Sequence, residues 1–375
     1  MAITVWKNIS VLRGFAMLLV VLAHSAHLST GIYYGRLKNF SPSQFPFEFL
    51  FTTVIQSLVP ICLPLFIFAS GFTVYQMFKN FKAIRSMAFQ ILRKYLIWAI
   101  PLYFLISLKQ GTFDIQYILC GLIKGGPMAA YWFLVLIIVI YLTSPIWINL
   151  VKGHPRVAII LSILVQCLQW LRFYYDPQWV LPGVVENIIV RPLLFTPPFV
   201  AGMFLASRVK EFLTFLKEKR TLLKFLTACS AFLCIVESIL WGYVSDWDNR
   251  SLQMGFSTER LTLTLFFACT VLLLVSMESK KTIERKWLSD VGMASLGILF
   301  MMDICLRIFS FLLWHVPHWI CNSNLTAFHH STPPLWLVYS SPWILILYFV
   351  VGLWGPLYLI KWGEKLFGYR IKILW

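Results

Sequence analysis

Two polar side chains interrupt the first apolar stretch of the chain. Arg13 and His24 lie eleven residues apart in the run from Leu12 to His27, which is otherwise mostly small and aliphatic. Eleven residues make about three turns of an α-helix, so a helix here projects both side chains from nearly the same face, roughly 16 Å apart along its axis. An ionisable group in a membrane helix is costly unless it faces a bundle interior or a wet cavity, so this face predicts a functional site.

The two residue types determine which chemistry this face can support. A guanidinium binds carboxylates and phosphates through charge-assisted hydrogen bonds. Histidine titrates near neutral pH, so His24 can take a proton from an attacking hydroxyl as a general base. The same imidazole can instead act as a nucleophile and carry an acyl group transiently. The sequence leaves these two routes open.

Two further motifs follow in the second and fourth apolar stretches. The second stretch closes with Pro64-Leu-Phe-Ile-Phe-Ala-Ser70-Gly71-Phe72. Its prolines predict a kink or a broken helix start, and the Ser-Gly pair permits close helix packing. The fourth stretch opens with Tyr131-Trp132-Phe133-Leu134, where Trp132 also fits an aromatic belt at the membrane interface.

Charged residues flank the third apolar stretch and interrupt the ninth. Arg85, Arg93 and Lys94 precede the third stretch, either as anchors at the membrane surface or as a phosphate-binding group at a helix N-terminus. Asp303 and Arg307 lie four residues apart, so they can pair on one helix face. The sequence does not decide between a structural ion pair and a second catalytic group at this position.

These motifs together resemble the acyltransferase-3 family of integral-membrane proteins, whose members transfer acyl groups onto envelope carbohydrates and lipids. The matching features are the arginine-to-histidine spacing of the first helix, the proline and Ser-Gly signature of the second, and the Trp-Phe-Leu start of the fourth. The chain departs from the family pattern at two positions. Gln90 replaces the first of two expected arginines before the third helix, and Met302 stands where a late histidine is common.

The resemblance implies a reaction and assigns roles to the candidate residues. The donor is expected to be acetyl-CoA or another acyl-CoA, with no permanently bound cofactor, and the acceptor a hydroxyl of a cell-envelope glycan or lipid-linked molecule. We expect Arg13 and His24 to be catalytic, and Arg13, Arg85, Arg93 and Lys94 to bind the donor. Further site positions are Ser70, Gly71, Trp132, Asp303 and Arg307. The acyl-CoA phosphates would lie near Arg13, with the pantetheine arm extending toward His24.

The composition of the chain indicates a membrane protein. Hydrophobic residues make up 59% of the 375 and charged residues only 13%, far below the charge content of soluble domains. The net charge of +17 is distributed in short clusters between apolar spans, which argues against nucleic acid as a partner and for membrane lipids. His315, His318, His329 and His330 fit no established ligand spacing, so no metal site is predicted.

We predict an all-α bundle of about ten transmembrane helices in a single domain covering residues 1–375. Most of the 32 Lys and Arg residues fall on the terminal face and in alternate loops, so both termini are predicted to be cytoplasmic, in a bacterial plasma membrane. The predicted spans are 9–28, 50–78, 92–108, 129–150, 156–174, 188–207, 222–244, 259–277, 290–314 and 335–360.

A second class of function remains open on the sequence alone. A multi-helix transporter or a polysaccharide export component could use the same polar cavity without acyl-transfer chemistry. Binding of acyl-CoA separates the two classes, because only the acyltransferase requires it.

Overall fold

A computed structural model describes most of the chain. The described residues are 2–34, 54–55, 57–77, 81–110, 114–126, 131–175, 185–244, 259–276, 283–321 and 342–367. Across these ranges the regular structure is helical and contains no strand. The predicted all-α fold is therefore confirmed.

The described residues form fourteen α-helices. In chain order they are α1 (Ala2–Tyr34), α2 (Cys62–Met77), α3 (Phe81–Gln110), α4 (Ile115–Lys124), α5 (Trp132–Gly153), α6 (Pro155–Tyr175), α7 (Arg191–Leu194), α8 (Thr196–Ser207), α9 (Val209–Glu218), α10 (Arg220–Val244), α11 (Leu261–Ser276), α12 (Ile283–Met293), α13 (Ser295–Cys321) and α14 (Pro342–Phe367). A 3₁₀ turn, Val59–Ile61, precedes α2, and a π-helical segment, Glu186–Val190, precedes α7.

The described helices make this a multi-pass membrane protein. Seven helices are long and apolar enough to cross a membrane, or up to nine if each of two bent pairs is one span. The predicted span 259–277 corresponds to α11, which is apolar but shorter than a typical span. The count of about ten spans and the cytoplasmic placement of the termini remain predictions.

Two predicted spans are bent rather than straight. The sixth, residues 188–207, turns by 46° between α7 and α8, where Pro197 and Pro198 lack the donors that would continue one helix. The ninth, residues 290–314, turns by 76° between α12 and α13. Gly292 and Ser295 flank this second bend, and sharp kinks without proline are typical of glycine and serine positions. The broken start predicted for the second span is confirmed by the 3₁₀ turn before α2.

The third span begins earlier than the predicted residue 92. Helix α3 starts at Phe81, so Arg93 and Lys94 lie more than three turns inside it. The expectation that these two residues sit at a helix N-terminus is therefore wrong. Their amides are already paired within the helix, and any anion contact must come from the side chains.

Residues 109–128, which lie between the third and fourth predicted spans, contain helix α4. Asp114 caps its first turn, because its Oδ1 accepts hydrogen bonds from the backbone amides of Gln116 at 2.8 Å and Tyr117 at 3.2 Å. Gly125 ends the helix in the left-handed conformation, with φ of 111°, which favours glycine. The helix has only ten residues, so a prediction based on runs of about 20 apolar residues does not include it.

Helix α1 occupies the centre of the bundle. It packs against α2, α11, α12, α13 and α14, and its Leu12, Ala16 and Val21 are fully buried. Two glycines bring α1 and α12 into backbone contact. A β-carbon on Gly14 would overlap the Leu288 carbonyl oxygen, and one on Gly292 would overlap that of Ser10.

A second backbone contact joins α2 to α8. A β-carbon on Gly71 would overlap the carbonyl oxygen of Phe199, and one on Gly202 would overlap that of Phe68. Close approach through small residues is the usual way for membrane helices to associate. Gly71 therefore permits the close approach of α2 and α8.

A buried arginine holds the start of α2. Arg260 is fully buried, and its guanidinium donates to the backbone carbonyls of Ser57 at 2.7 Å and Cys234 at 3.1 Å and to the Ser238 hydroxyl at 2.6 Å. These bonds join α10 and the start of α11 to the segment before α2. Because a buried charge is tolerated only with such partners, Arg260 acts here as a structural tie.

The contact between α2 and α8 predicts the effect of enlarging Gly71. In Gly71→Ala, the added methyl meets backbone rather than a side chain that could move aside, so the helices must separate. We expect a loss of roughly 1–3 kcal/mol, typical of overpacking, measured as a lower unfolding temperature of the purified protein in detergent. Gly153→Ala is the matched control, since no atom lies within 4 Å of its added carbon. Equal losses in the two variants would contradict the contact.

Candidate active site

A cavity of about 690 Å³ lies beside α1 and is here named the main cavity. Residues of α1, α2, α3 and α5 line it, together with the bend between α12 and α13. Most of the lining is apolar. Its main polar and aromatic-polar residues are Arg13, His24, Ser70, Thr73, Gln90, Lys94, Trp132, Tyr141 and Ser295.

Arg13 and His24 both line the main cavity, as their spacing predicts. Helix α1 runs without interruption through both residues, so they are separated by roughly 16 Å along its axis. The cavity therefore extends over at least three turns of α1. A guanidinium lies toward one end and an imidazole toward the other.

Thr73 fixes the Arg13 side chain. The Arg13 Nη2 donates to the Thr73 Oγ1 at 2.8 Å, and that hydroxyl donates its own proton to the Ala69 carbonyl at 2.7 Å. The Thr73 oxygen is thereby left to accept from Arg13. Sequence analysis missed Thr73, although it lies three residues after Ser70 and so shares that residue's helix face.

The basic residues of α3 separate into two groups. Lys94 lines the main cavity together with Gln90, one turn earlier on the same face. Arg93 and Arg85 are exposed and are not part of the lining, and the Arg85 guanidinium lies 5.4 Å from the centre of the Phe89 ring. Of the three predicted donor-binding cations on α3, only Lys94 therefore lines the main cavity.

Charge on the lining is of one sign. Arg13 and Lys94 are its permanently charged side chains, His24 can add a third positive charge, and none of the described lining residues is Asp or Glu. A low-dielectric cavity lined by one sign of charge attracts ligands of the opposite sign. The main cavity is therefore suited to an anion.

The Ser70-Gly71 motif is divided between two surfaces of α2. Ser70 lines the main cavity, whereas Gly71 faces α8 as described above. Consecutive helical residues point about 100° apart, which explains how one motif contributes to both packing and the cavity wall.

Trp132 lines the main cavity and has an unpredicted cationic neighbour. The Arg191 guanidinium lies 4.9 Å from the centre of the Trp132 ring, within the range of a cation–π interaction. Phe195 packs on the same tryptophan, with ring centres 6.3 Å apart. Arg191 carries no sequence signal for this contact, because it lies on a different helix, 59 residues after Trp132 in the chain.

The bend between α12 and α13 forms part of the cavity wall. Gly292 and Met293 line the cavity before the bend, and Ser295 and Leu296 line it after the bend. Helix α13, with 27 residues, therefore begins at the cavity. Its N-terminus carries partial positive charge, which adds to the cationic character of the site.

Asp303 and Arg307 form the predicted pair outside the main cavity. The Arg307 Nε lies 3.2 Å from the Asp303 Oδ2, with Asp303 buried and Arg307 exposed. Neither residue lines the main cavity, and Met302 is fully buried. The side chains of His315 and His318 and all of His329 and His330 lie outside the described residues. Within the described part, no group of three metal-ligating side chains occurs.

One comparison with known proteins gives a match. The model of a protein family described as an acyltransferase domain matches residues 6–361, nearly the whole chain. No curated protein and no solved structure matches the chain.

The hydrogen bond to Thr73 predicts how reactive the Arg13 guanidinium is. In Thr73→Val the acceptor is lost while the side-chain shape is nearly kept, so Arg13 becomes free to turn. We expect the arginine reagent phenylglyoxal to modify Arg13 several-fold faster in this variant, measured by mass spectrometry of the Arg13 peptide. Thr73→Ser retains the hydroxyl and should react like the wild type. An unchanged rate in Thr73→Val would show that the bond does not hold Arg13.

Proposed function

The chain belongs to the acyltransferase-3 family, and from this premise we propose that it moves an acyl group, acetyl by family resemblance, from cytoplasmic acyl-CoA to a hydroxyl of a cell-envelope carbohydrate or lipid. The main cavity is the observation that supports this proposal most strongly. It combines Arg13, Lys94 and His24 on a lining without a described carboxylate. An anionic donor and a hydroxyl acceptor are the reactants that such a lining suits.

The donor enters from the Arg13 end in this proposal. The positive-inside distribution of Lys and Arg supports a cytoplasmic position for that end, where acyl-CoA is found. Arg13 and Lys94 bind the phosphates, and the N-terminus of α13 adds its partial positive charge. The pantetheine arm then extends along α1 toward His24, a distance of roughly 16 Å.

His24 performs the chemistry at the far end of the cavity. In the direct route, the acceptor hydroxyl attacks the thioester carbonyl while His24 takes its proton, and the CoA thiolate leaves and receives that proton. In the two-step route, the imidazole attacks first and forms an acyl-histidine, which the hydroxyl then cleaves. Both routes end with an O-acyl ester and free CoA.

Neighbouring cations on α3 provide a test of donor binding. Lys94→Ala should weaken binding of radiolabelled acetyl-CoA to the protein in nanodiscs by roughly tenfold or more, since a hydrogen bond to a charged group is worth about 1.5–3 kcal/mol. Arg93→Ala removes the same charge one residue away but outside the cavity, and should change affinity by less than about twofold, as expected of an exposed charge.

A gain of affinity in Gln90→Arg would support the same assignment, because this change adds a cation to the lining. Equal weakening in Lys94→Ala and Arg93→Ala would contradict it, since the effect would then come from surface charge rather than from the cavity.

Substitution of His24 separates binding from chemistry. His24→Ala should retain acetyl-CoA binding but lose transfer of label to an envelope lipid and glycan extract by at least about 10²-fold, the usual contribution of a general base. His154→Ala is the matched control, because His154 is exposed at the junction of α5 and α6. His27→Ala tests the nearest histidine in sequence.

Two outcomes would count against this assignment. If His24→Ala loses binding as fully as transfer, His24 is not a base acting on bound donor. If the wild type binds no acetyl-CoA, the transporter interpretation is favoured over the acyltransferase.

A further inference from the structure

A second cavity, here named the side cavity, lies apart from the main one. It has a volume of about 390 Å³ and is formed by α6, α8 and α11, with Pro64 of α2 at one wall. It shares no lining residue with the main cavity. Its position within the apolar lengths of α6 and α8 places it at membrane depth.

The side cavity faces lipid rather than the protein interior. Ile163, Ala201 and Ala268 line it and are exposed at the outer surface of the bundle. Phe195, Phe204 and Phe267 contribute to the apolar interior of the lining. At this depth the material that surrounds the protein is hydrocarbon, so an acyl chain is the occupant that the lining fits.

One buried amide distinguishes this cavity from an ordinary groove between helices. Gln169 is only 3% exposed, and its Oε1 accepts a hydrogen bond from the Gln166 Nε2 at 2.9 Å. The amide nitrogen of Gln169 donates to none of the described residues. A buried amide donor in hydrocarbon is costly unless it finds an acceptor, so a ligand that carries an acceptor would be favoured here.

The other polar groups of the lining are already engaged. The Ser162 hydroxyl donates to the Ala158 carbonyl at 2.8 Å. The Thr264 hydroxyl donates to the Arg260 carbonyl at 3.1 Å and accepts from the Trp170 indole at 3.4 Å. Gln166 and Gln169 are therefore the groups on this lining that retain an amide hydrogen to donate, and of the two Gln169 is the buried one.

The chemistry of the lining selects the class of lipid. Its described residues include no charged side chain, so a free fatty acid would bury its carboxylate without a partner. An ester carbonyl is a neutral acceptor attached directly to an acyl chain. Gln169 lies within one turn of Arg172, the basic residue in the last turn of α6, so it lies toward the headgroup end of this span.

We propose that the side cavity is a binding site for a glycerophospholipid, with one acyl chain against the apolar lining and its ester carbonyl accepting a hydrogen bond from Gln169. In this position the acyl chain of the lipid lies behind the wall of the main cavity. Pro64 faces the side cavity while Leu63 faces the main one, and Phe195 of the side cavity contacts Trp132 of the main cavity. The proposal does not depend on the reaction at His24.

Photochemical labelling tests occupancy of the cavity. The protein in nanodiscs is irradiated with a phosphatidylethanolamine that carries a diazirine in one acyl chain, and labelled peptides are identified by mass spectrometry. We expect label on the lining of α6, α8 and α11. Ala201→Phe and Ala268→Phe fill the cavity from its exposed side and should lower this label several-fold. Ala228→Phe, on the exposed surface of α10, is the matched control and should leave it unchanged.

Competition with an unlabelled lipid tests the role of Gln169. A diester phosphatidylethanolamine should displace the probe several-fold better than its diether analogue, which lacks the carbonyls, and Gln169→Leu should abolish this preference. Equal competition by the two lipids in the wild type would overturn the assignment to Gln169 and indicate that water satisfies it. Undiminished label in both cavity-filling variants, with unchanged unfolding temperature, would overturn occupancy of the side cavity.

Discussion

The hydrogen bond between Arg13 and Thr73 satisfies a constraint on which the whole bundle depends. A charged side chain on a membrane helix must have polar partners, and α1 carries its charge at the centre of the structure. Helix α2 supplies the partner through Thr73, which is itself anchored to the Ala69 carbonyl. On another side, Gly14 and Gly292 bring α1 against α12. Because α1 is fixed against both neighbours, the space between them persists as the main cavity.

Two arginines show how the same side chain performs different tasks in this bundle. Arg260 is fully buried, and three carbonyl and hydroxyl oxygens from two segments accept its hydrogen bonds. Arg13 binds one hydroxyl and lines an open cavity. The first arrangement satisfies the charge internally and holds helices together. The second holds the guanidinium in place while leaving it facing a space that an anion can enter, as expected of a binding group.

Features that depend on a single helix were predictable from the sequence, and those that depend on helix phase or on bends were not. The spacing of Arg13 and His24 placed both on one cavity, since α1 is continuous. Whether Lys94 or Arg93 lines the main cavity depends on how α3 is rotated about its axis against its neighbours. The periodicity of the sequence alone does not fix that rotation. The bend before Ser295 has no proline to predict it, and the close contact of Gly292 with α1 appears only in the packed bundle. Thr73, in contrast, was accessible from its spacing to Ser70.

The departures from the family pattern limit the mechanism. Gln90 lines the main cavity where an arginine is expected, so Lys94 and Arg13 must supply the fixed positive charge of the described lining. Met302 is fully buried outside that lining, so a base at its position would not face the donor. His24 is then the one histidine or carboxylate among the described lining residues. One imidazole is chemically sufficient, because a thiolate is a weak base and leaves without strong acid assistance. In the proposed reaction, the proton that His24 takes from the hydroxyl returns to the departing sulfur, which restores the neutral imidazole for the next cycle.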